Sequence, residues 1–188
     1  MQGRVPRYQR HQKRKEDSAK AGGWLGALGS HIIDMMRWQL GADVTDCGGM
    51  SRLDVPVRPD GSGGEVAGTA EDAFAFWMTF ANGATATIEA ASAAPVNLAQ
   101  RMTYLGTEGA IEVIGDTVTL HRQGAEPETF AFNPDAGAAM FASLGGWIGS
   151  IENALKTRTQ IVSSFDEGVA VGEVMDKLKA SFVRPPSA

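Results

Sequence analysis

The segment that most constrains the fold runs from residue 71 to residue 82, where eight of the twelve positions, all within 73–81, are apolar. Its length and its bulky side chains predict a β-strand. Large side chains alternate with smaller ones and a tryptophan, so that the two faces carry Phe74, Phe76, Met78 and Phe80 on one side and Ala73, Ala75, Trp77 and Thr79 on the other. A strand that is apolar on both faces is covered on both faces.

The second face of this strand needs a cover of its own. Burial of apolar surface contributes about 25 cal/mol per Å², and a large apolar patch therefore does not stay in solvent. The helices of a 188-residue chain suffice for one face of such a sheet. We expect the open face to form a homodimer or to pack against another domain.

The other segments predict an α+β fold. Asn82-Gly83 predicts a tight hairpin turn of the positive-φ type, with a returning strand at 84–93. Further short strands are expected at 44–57, with a bulge at Gly48-Gly49, and at 101–105, 110–114, 117–122 and 130–132. Residues 22–41 are predicted to form a loop followed by a helix, with helical periodicity at Ile32, Ile33, Met36 and Leu40, and further helices are expected at 140–156 and 166–182. Helices segregated from antiparallel strands predict a mostly antiparallel, open-faced sheet of about six strands with helices packed on one face.

Residues 21–41 carry the candidate chemistry. Four glycines lie within eight residues at the start of this segment, a helical pattern follows, and Gly41 marks its end. A glycine-rich loop lets backbone approach a ligand, and a helix N-terminus offers unpaired N–H groups. His31 lies at this loop-to-helix junction, where an imidazole can exchange a proton near neutral pH. The alternative is a structural histidine that is hydrogen-bonded to backbone.

Composition excludes several classes of protein. One cysteine, Cys47, and three scattered histidines supply no cluster of metal ligands, so we expect no metal site. The chain has no run of about 18 apolar residues, so we expect no membrane span. The N-terminus has charge but no apolar segment after it, which argues against a secretory signal. A single cysteine makes no intramolecular disulfide, and together these features favour the cytoplasm.

The charge is unevenly distributed. Residues 1–20 contain seven Lys and Arg against two acidic residues, a net charge of +5, whereas residues 21–188 carry −10. We interpret 1–20 as a basic N-terminal arm and 21–188 as one folded domain. Nucleic acid is not the expected partner, because the arm lacks the stacking aromatic residues that accompany such binding. The favoured interpretation is a solvated arm that packs on the acidic body or on a partner.

Four motifs in order give the chain a family resemblance: Gly22-Gly23-x-Leu25-x-x-x-Gly29-x-His31-x-x-Asp34, Phe80-Ala-Asn-Gly83-Ala after Asp72, Tyr104-Leu-Gly106-Thr-Glu-Gly109-Ala-Ile-Glu, and Ser164-Phe-Asp-Glu-Gly168. They resemble the C-terminal domain of the glucose–fructose oxidoreductase/inositol dehydrogenase/MocA (Gfo/Idh/MocA) family over about residues 21–183. The resemblance implies the substrate-binding and oligomerisation half of an NAD(P)-dependent oxidoreductase. Its substrate is a sugar, a polyol or a related hydroxy compound.

The resemblance also implies where the cofactor lies. NAD or NADP belongs to a Rossmann domain, and this sequence contains no Gly-x-Gly-x-x-Gly after a strand. We therefore expect no cofactor-binding residue in the chain and no activity from the chain alone. The Rossmann domain is then an expected partner, beside the homodimer.

By the same resemblance His31 is the catalytic acid/base. Substrate-binding candidates are Trp24, whose aromatic face suits a sugar, Ser30 and Asp34, with core packing or helix-start stabilisation as the alternatives. The family often has Asp four residues before the histidine, where this chain has Ala27. Ala27 and the missing half leave open a non-enzymatic binding or scaffold protein that retains the fold.

Overall fold

The computed structural model describes residues 18, 22–59, 63–96, 98–131, 136–160 and 164–183. It consists of two compact units, one formed by Met1–Ala94 with Ser163–Ala188 and the other by Pro95–Val162. The basic arm, apart from Ser18, lies outside the described residues. Its separation from a single domain at 21–188 stays a prediction.

The first unit contains two sheets and two helices. Its elements in chain order are a π-helical turn Leu25–Gly29, α1 Ser30–Leu40, β1 Val44–Arg52, β2 Val57–Pro59, β3 Glu65–Ala67, β4 Ala73–Phe80 and β5 Thr85–Ala91. A C-terminal helix, Phe165–Ser181, returns to this unit from the end of the chain and is α3 in the numbering below. Strands β1, β4 and β5 form an antiparallel sheet in that order, and β2 pairs with β3.

The core lies on one face of the β1–β4–β5 sheet. Here the large side chains of β4 are buried, as the alternation predicts, and helix residues complete the cluster: Leu25, Ile33, Met36, Val171, Val174 and Leu178. Helix α3 packs on β1 and on α1. On the opposite face no described residue of this unit provides such a cover, and Trp77 is 42% and Met50 48% exposed.

One local prediction about this sheet was wrong, and a second was right only in part. Gly48 and Gly49 do not interrupt β1, since both are paired in register with Trp77 and Phe76, and the irregularity lies between Val44 and Asp46. The glycines provide space instead: a Cβ on Gly48 would lie 3.0 Å from the Trp77 ring. In the 82–83 turn only Gly83 has a positive φ, of 87°, so this is not the turn with two positive-φ residues that Asn-Gly favours.

Asn82 has a different use in this turn. Its side-chain oxygen accepts from the Ala84 amide at 3.1 Å, and its Nδ2 donates to the Leu40 carbonyl at 2.9 Å. The hairpin is thereby fastened to the end of α1, where Gly41 adopts φ 60° as the sequence predicts.

The second unit contains four strands and one helix. They are β6 Arg101–Leu105, β7 Gly109–Ile114, β8 Thr117–Arg122, β9 Glu128–Ala131 and α2 Ala136–Thr157. The strands form an antiparallel meander in sequence order, as expected from the turns between them. Among the side chains described in α2, which begin at residue 144, the exposed large apolar groups are Leu144, Trp147, Ile148 and Leu155.

The α+β class is confirmed. The described strands are divided among sheets of three, two and four strands, whereas the sequence predicted one sheet of about six. Turn residues predict which neighbouring strands form hairpins, but the way in which hairpins combine into sheets depends on tertiary packing. None of the helices in the described ranges is long and apolar enough to cross a membrane.

Candidate functional site

The predicted junction at His31 does not lie where the sequence placed it. The helix begins at Trp24 and runs through the π-helical turn directly into α1, so the glycines at 26 and 29 are helical. His31 is thus about two turns inside a continuous helix. Its expected position beside the unpaired N–H groups of a helix N-terminus is wrong, because those groups belong to the residues around Leu25.

His31 nevertheless lies on an exposed helix face. His31, Asp34 and Trp38 follow each other at spacings of three and four residues, which places them on one side of α1. All three are exposed, Trp38 to 71%. Within the described residues neither His31 nor Asp34 makes a hydrogen bond or an ion pair. The imidazole and the carboxylate are therefore both available to a ligand or to a partner domain.

The two other candidate residues are placed differently. The Ser30 hydroxyl donates to the Gly26 carbonyl at 2.9 Å, so its proton is used within the helix. Trp24 is partly buried at the start of the helical segment, and its amide donates to the Glu71 carbonyl at 2.9 Å. The structure thus joins His31 and Asp34 on one face, while Trp24 and Ser30 flank the π-helical turn that precedes them.

Glu71 is a residue that sequence reasoning missed. Its carboxylate accepts from the Leu25 amide at 3.1 Å and satisfies one of the free N–H groups of the helix start. Gly23, at φ 120°, makes room for this carboxylate, which a Cβ at that position would overlap. The glycine-rich segment therefore receives a side chain of this chain rather than an external ligand at that point. The available signal was an acidic residue directly before a buried strand.

Asp72, part of the family resemblance, is structural. It is 3% exposed, and its carboxylate accepts from the Asp54 amide at 2.8 Å, the Val55 amide at 2.9 Å and Arg58 at 2.7 Å. Such a buried charge is tolerated because every oxygen is paired. Asp72 fastens the segment between β1 and β2 to the start of β4.

A cleft of about 390 Å³ lies in the same unit, at the end of α1. It is bounded by α1, β1 and α3 and is lined by Arg37, Asp43, Val44, Thr45, Cys47, Ala170, Glu173, Val174 and Lys177. Its two cations are already paired, Arg37 with Asp43 and Glu167, and Lys177 with Asp46 at 2.7 Å. None of the four predicted site residues lines this cleft.

The ion pairs of the cleft shift the affinities of these groups for protons. Burial opposes the charge of Arg37, but its hydrogen bonds to Asp43 and Glu167 outweigh burial and raise the pKa of Arg37. The hydrogen bond between Lys177 and Asp46 lowers the pKa of Asp46 and raises that of Lys177. Burial raises the pKa of the Cys47 thiol, which keeps it protonated and unreactive.

The described residues do not fit a dinucleotide. All their paired strands are antiparallel, whereas a dinucleotide is held at the turn of a parallel βαβ unit. The described part of the chain also contains no group of three His, Cys, Asp or Glu side chains that would hold a metal ion.

Several solved structures share this fold. An oxidoreductase domain protein from Kribbella flavida superposes with a TM-score of 0.74 at 19% identity, over 96% of this chain and 55% of that one. The transcriptional regulator Gal80p from Kluyveromyces lactis gives 0.71 at 15%, over 92% and 46%. Levoglucosan dehydrogenase, solved with NADH and L-sorbose, gives 0.70 at 20%, over 85% and 48%. The chain thus spans about half the length of these proteins.

Sequence comparison assigns the family. No curated protein sequence matches the chain. The model of the GFO/IDH/MocA C-terminal domain matches residues 1–112, which include the basic arm and extend into β7. Because this match covers more than half of the sequence and agrees with the fold, the chain belongs to the GFO/IDH/MocA C-terminal domain family.

Proposed function

We propose that this chain is the substrate-binding and oligomerisation half of an NAD(P)-dependent oxidoreductase that acts on a sugar, a polyol or a related hydroxy compound. Family membership supports this assignment. The observation that locates the site is the exposed face of α1, on which His31 and Asp34 make no hydrogen bond or ion pair within the described residues. The nucleotide is carried by a Rossmann domain, because the described residues offer no fold for it. The proposed setting is the cytoplasm.

His31 is the acid/base in this proposal. An unprotonated imidazole nitrogen accepts the proton of the substrate hydroxyl, for which an imidazole is suited near neutral pH, and a hydride passes from the hydroxyl-bearing carbon to the nicotinamide on the Rossmann domain. Asp34 lies one turn further along the same face, and its carboxylate accepts a hydrogen bond from a hydroxyl of the substrate. Trp24 offers an aromatic surface for the C–H groups of a sugar.

The test is oxidation of sugars and polyols by this chain co-expressed with a Rossmann domain of the family, followed by NAD(P)H absorbance. We expect His31→Ala to lower turnover by about 10²–10⁴-fold, the usual contribution of a general acid/base. The matched control is His121→Ala, an exposed histidine of β8 in the second unit, with unchanged turnover. Equal rates for wild type and His31→Ala would refute the role of His31.

A non-enzymatic role is the second candidate. Ala27 stands where the family often has Asp, and Gal80p, a transcriptional regulator, has the same fold. In that case the wild-type chain stays inactive on every substrate with a folded Rossmann domain bound. Tight NADH binding by this chain alone, measured by fluorescence titration, would contradict both candidates.

The oligomerisation half of the proposal concerns the open face of the β1–β4–β5 sheet. Its residues are mostly apolar or small, around Trp77 and Met50, and charge is confined to Asp46, Arg52 and Glu89. A sheet face made mostly of apolar and small residues suits a second copy of itself across a two-fold axis.

Sedimentation of the full chain tests this interface. We expect a concentration-dependent dimer for the wild type and a monomer for Trp77→Ser, because the ring is the largest group on the face. Trp38→Ser, which removes an equally large exposed ring from α1, is the control and stays dimeric. A wild-type chain that is monomeric at all concentrations would overturn the proposed dimer.

A further inference from the structure

The π-helical turn Leu25–Gly29 has no role in the function proposed so far. At its end the Ser30 amide donates to the Leu25 carbonyl, five residues back, where an α-helix would use the Gly26 carbonyl. Such a turn accommodates one extra residue. It therefore rotates the preceding residues by roughly 100° about the axis relative to an uninterrupted α-helix.

The Ser30 side chain binds the Gly26 carbonyl, the acceptor that the Ser30 amide would use in an α-helix. Its hydroxyl donates to the Gly26 carbonyl at 2.9 Å. Serine makes this bond in ordinary helices too, and Ser150 does so with Gly146 at 3.1 Å within α2. The two serines differ in one respect. Of the two, only Ser30 has a backbone amide that donates to the carbonyl five residues earlier instead of four.

Glu71 holds the other end of the turn. The Leu25 amide donates to its carboxylate at 3.1 Å, and the Trp24 amide donates to its backbone carbonyl at 2.9 Å. Glu71 directly precedes Asp72, which is fixed by three hydrogen bonds in the first unit. The start of the helix is therefore tied to the sheet, while Ile33 and Met36 tie α1 to the core. The π-helical turn allows one helix to make both attachments at the same time.

We propose that Ser30 and Glu71 are positioning residues that hold the π-helical turn, and that the turn sets the rotation of Trp24 relative to His31 on the helix. This rests on the proposed function in so far as Trp24 and His31 serve one substrate. The Ser30 hydroxyl proton is then donated within the helix and not to the substrate. Its contribution is the angle between the aromatic surface and the imidazole.

Hydrogen-bond scalar couplings across the backbone test this in the isotope-labelled full chain. In the wild type we expect the Ser30 nitrogen to couple to the Leu25 carbonyl carbon. In Ser30→Ala we expect this coupling to move to the Gly26 carbonyl carbon, with a changed Trp24 indole N–H shift. Ser30→Thr keeps the hydroxyl and restores the wild-type pattern, and Ser150→Ala leaves it untouched.

Glu71 has its own pair of variants. Glu71→Gln keeps an acceptor oxygen and preserves the coupling to Leu25, whereas Glu71→Ala loses it. A wild-type coupling to Gly26, or an unchanged coupling in Ser30→Ala, would overturn the proposal. These readouts need no turnover, so they stand even where the co-expressed enzyme is inactive.

In an active enzyme the same variants report on positioning. Ser30→Ala should lower kcat about 10-fold or more, because small displacements of reacting groups are costly, and Ser30→Thr should restore it. Full activity in a Ser30→Ala enzyme whose coupling has moved to Gly26 would show that the turn does not position the site. Inactivity of the wild type itself would count against the proposed function instead.

Discussion

The two units are built from similar strands, yet among the side chains that the structure describes only those of the first unit enclose a core. Leu25, Ile33, Met78 and Leu178 are fully buried there. In the second unit none of the side chains described over 98–131 and 144–160 is buried. The largest exposed apolar groups of the second unit include Leu105, Phe130 and Trp147.

The difference teaches what alternation of apolar residues does and does not achieve. In both units it produces paired antiparallel strands. In the first unit α3 packs on both β1 and α1, and the carboxylates of Glu71 and Asp72 fasten the connecting segments. Stability should therefore be concentrated in the first unit, and substitutions of matched chemistry should have unequal effects in the two units.

Asp72→Ala should produce the largest effect. It leaves two backbone amides and Arg58 without their buried acceptor, and the removal of one member of a buried pair costs about 3–5 kcal/mol of unfolding free energy. Denaturant unfolding measures the loss. The control in the second unit is Glu112→Ala, which breaks only an exposed pair with Arg101 at 3.8 Å; its effect should stay below about 1 kcal/mol. Similar losses for both variants would remove the contrast between the units.

Leu178→Ala should follow, with a loss of about 2–5 kcal/mol, because it opens a cavity in a fully buried part of α3. The same chemical change at Leu105, which is 84% exposed on β6, should alter unfolding free energy by no more than about 0.5 kcal/mol. The pair is read from the same denaturation curves. A large effect of Leu105→Ala would mean that this side chain is buried in solution.

Ser164→Ala should have a moderate effect. The Ser164 hydroxyl accepts from the Glu167 amide at 3.3 Å and caps α3, and loss of such a cap costs about 1 kcal/mol. Ser164→Asp preserves an acceptor and should be nearly neutral. Should Asp destabilise as much as Ala, the cap would not be what holds the start of α3.

Lys177→Met should have the smallest effect, and a pH-dependent one. The pKa of Asp46 is lowered from 3.8 and that of Lys177 raised from 10.5 by their mutual hydrogen bond. The lowered carboxyl pKa contributes stability above about pH 3.8 that is lost as pH falls through its folded value. The raised amine pKa contributes stability below about pH 10.5 that is lost as pH rises through its folded value.

The stability difference between wild type and Lys177→Met should therefore be constant near neutral pH and shrink at both extremes. Unfolding midpoints measured across this pH range provide the test. Lys179→Met is the control, because among the described residues Lys179 has only a loose pair, with Asp176 at 3.8 Å. A difference that does not change with pH would mean that the pair is not formed in solution.

Much of the fold was predictable because the signals are local. The core face of β4, the hairpins of the second unit and the end of α1 at Gly41 all follow from alternation, turn chemistry and capping, which act over a few residues. The family assignment was predictable for the same reason, since the motifs that carry it are short and keep their order.

The candidate site was predictable only in part. His31 and Asp34 fall on one helix face because a helix fixes spacings of three, whatever surrounds it. The start of that helix was misplaced, because glycines at 26 and 29 argue locally for a loop, and burial of Leu25 and Ile33 overrides that preference. Glu71 was missed because it is 46 residues away from the Leu25 amide it caps.

The sequence by itself determined the α+β class, the antiparallel pairing and the helix face that carries His31, because periodicity and turn residues act between neighbours in the chain. Only the tertiary structure decided that Glu71 and Ser30 hold a π-helical turn, that Asp72 is a buried anchor and that the strands separate into distinct sheets. Those outcomes depend on groups distant in sequence competing for the same space and the same hydrogen bonds, and no local pattern records which of them wins.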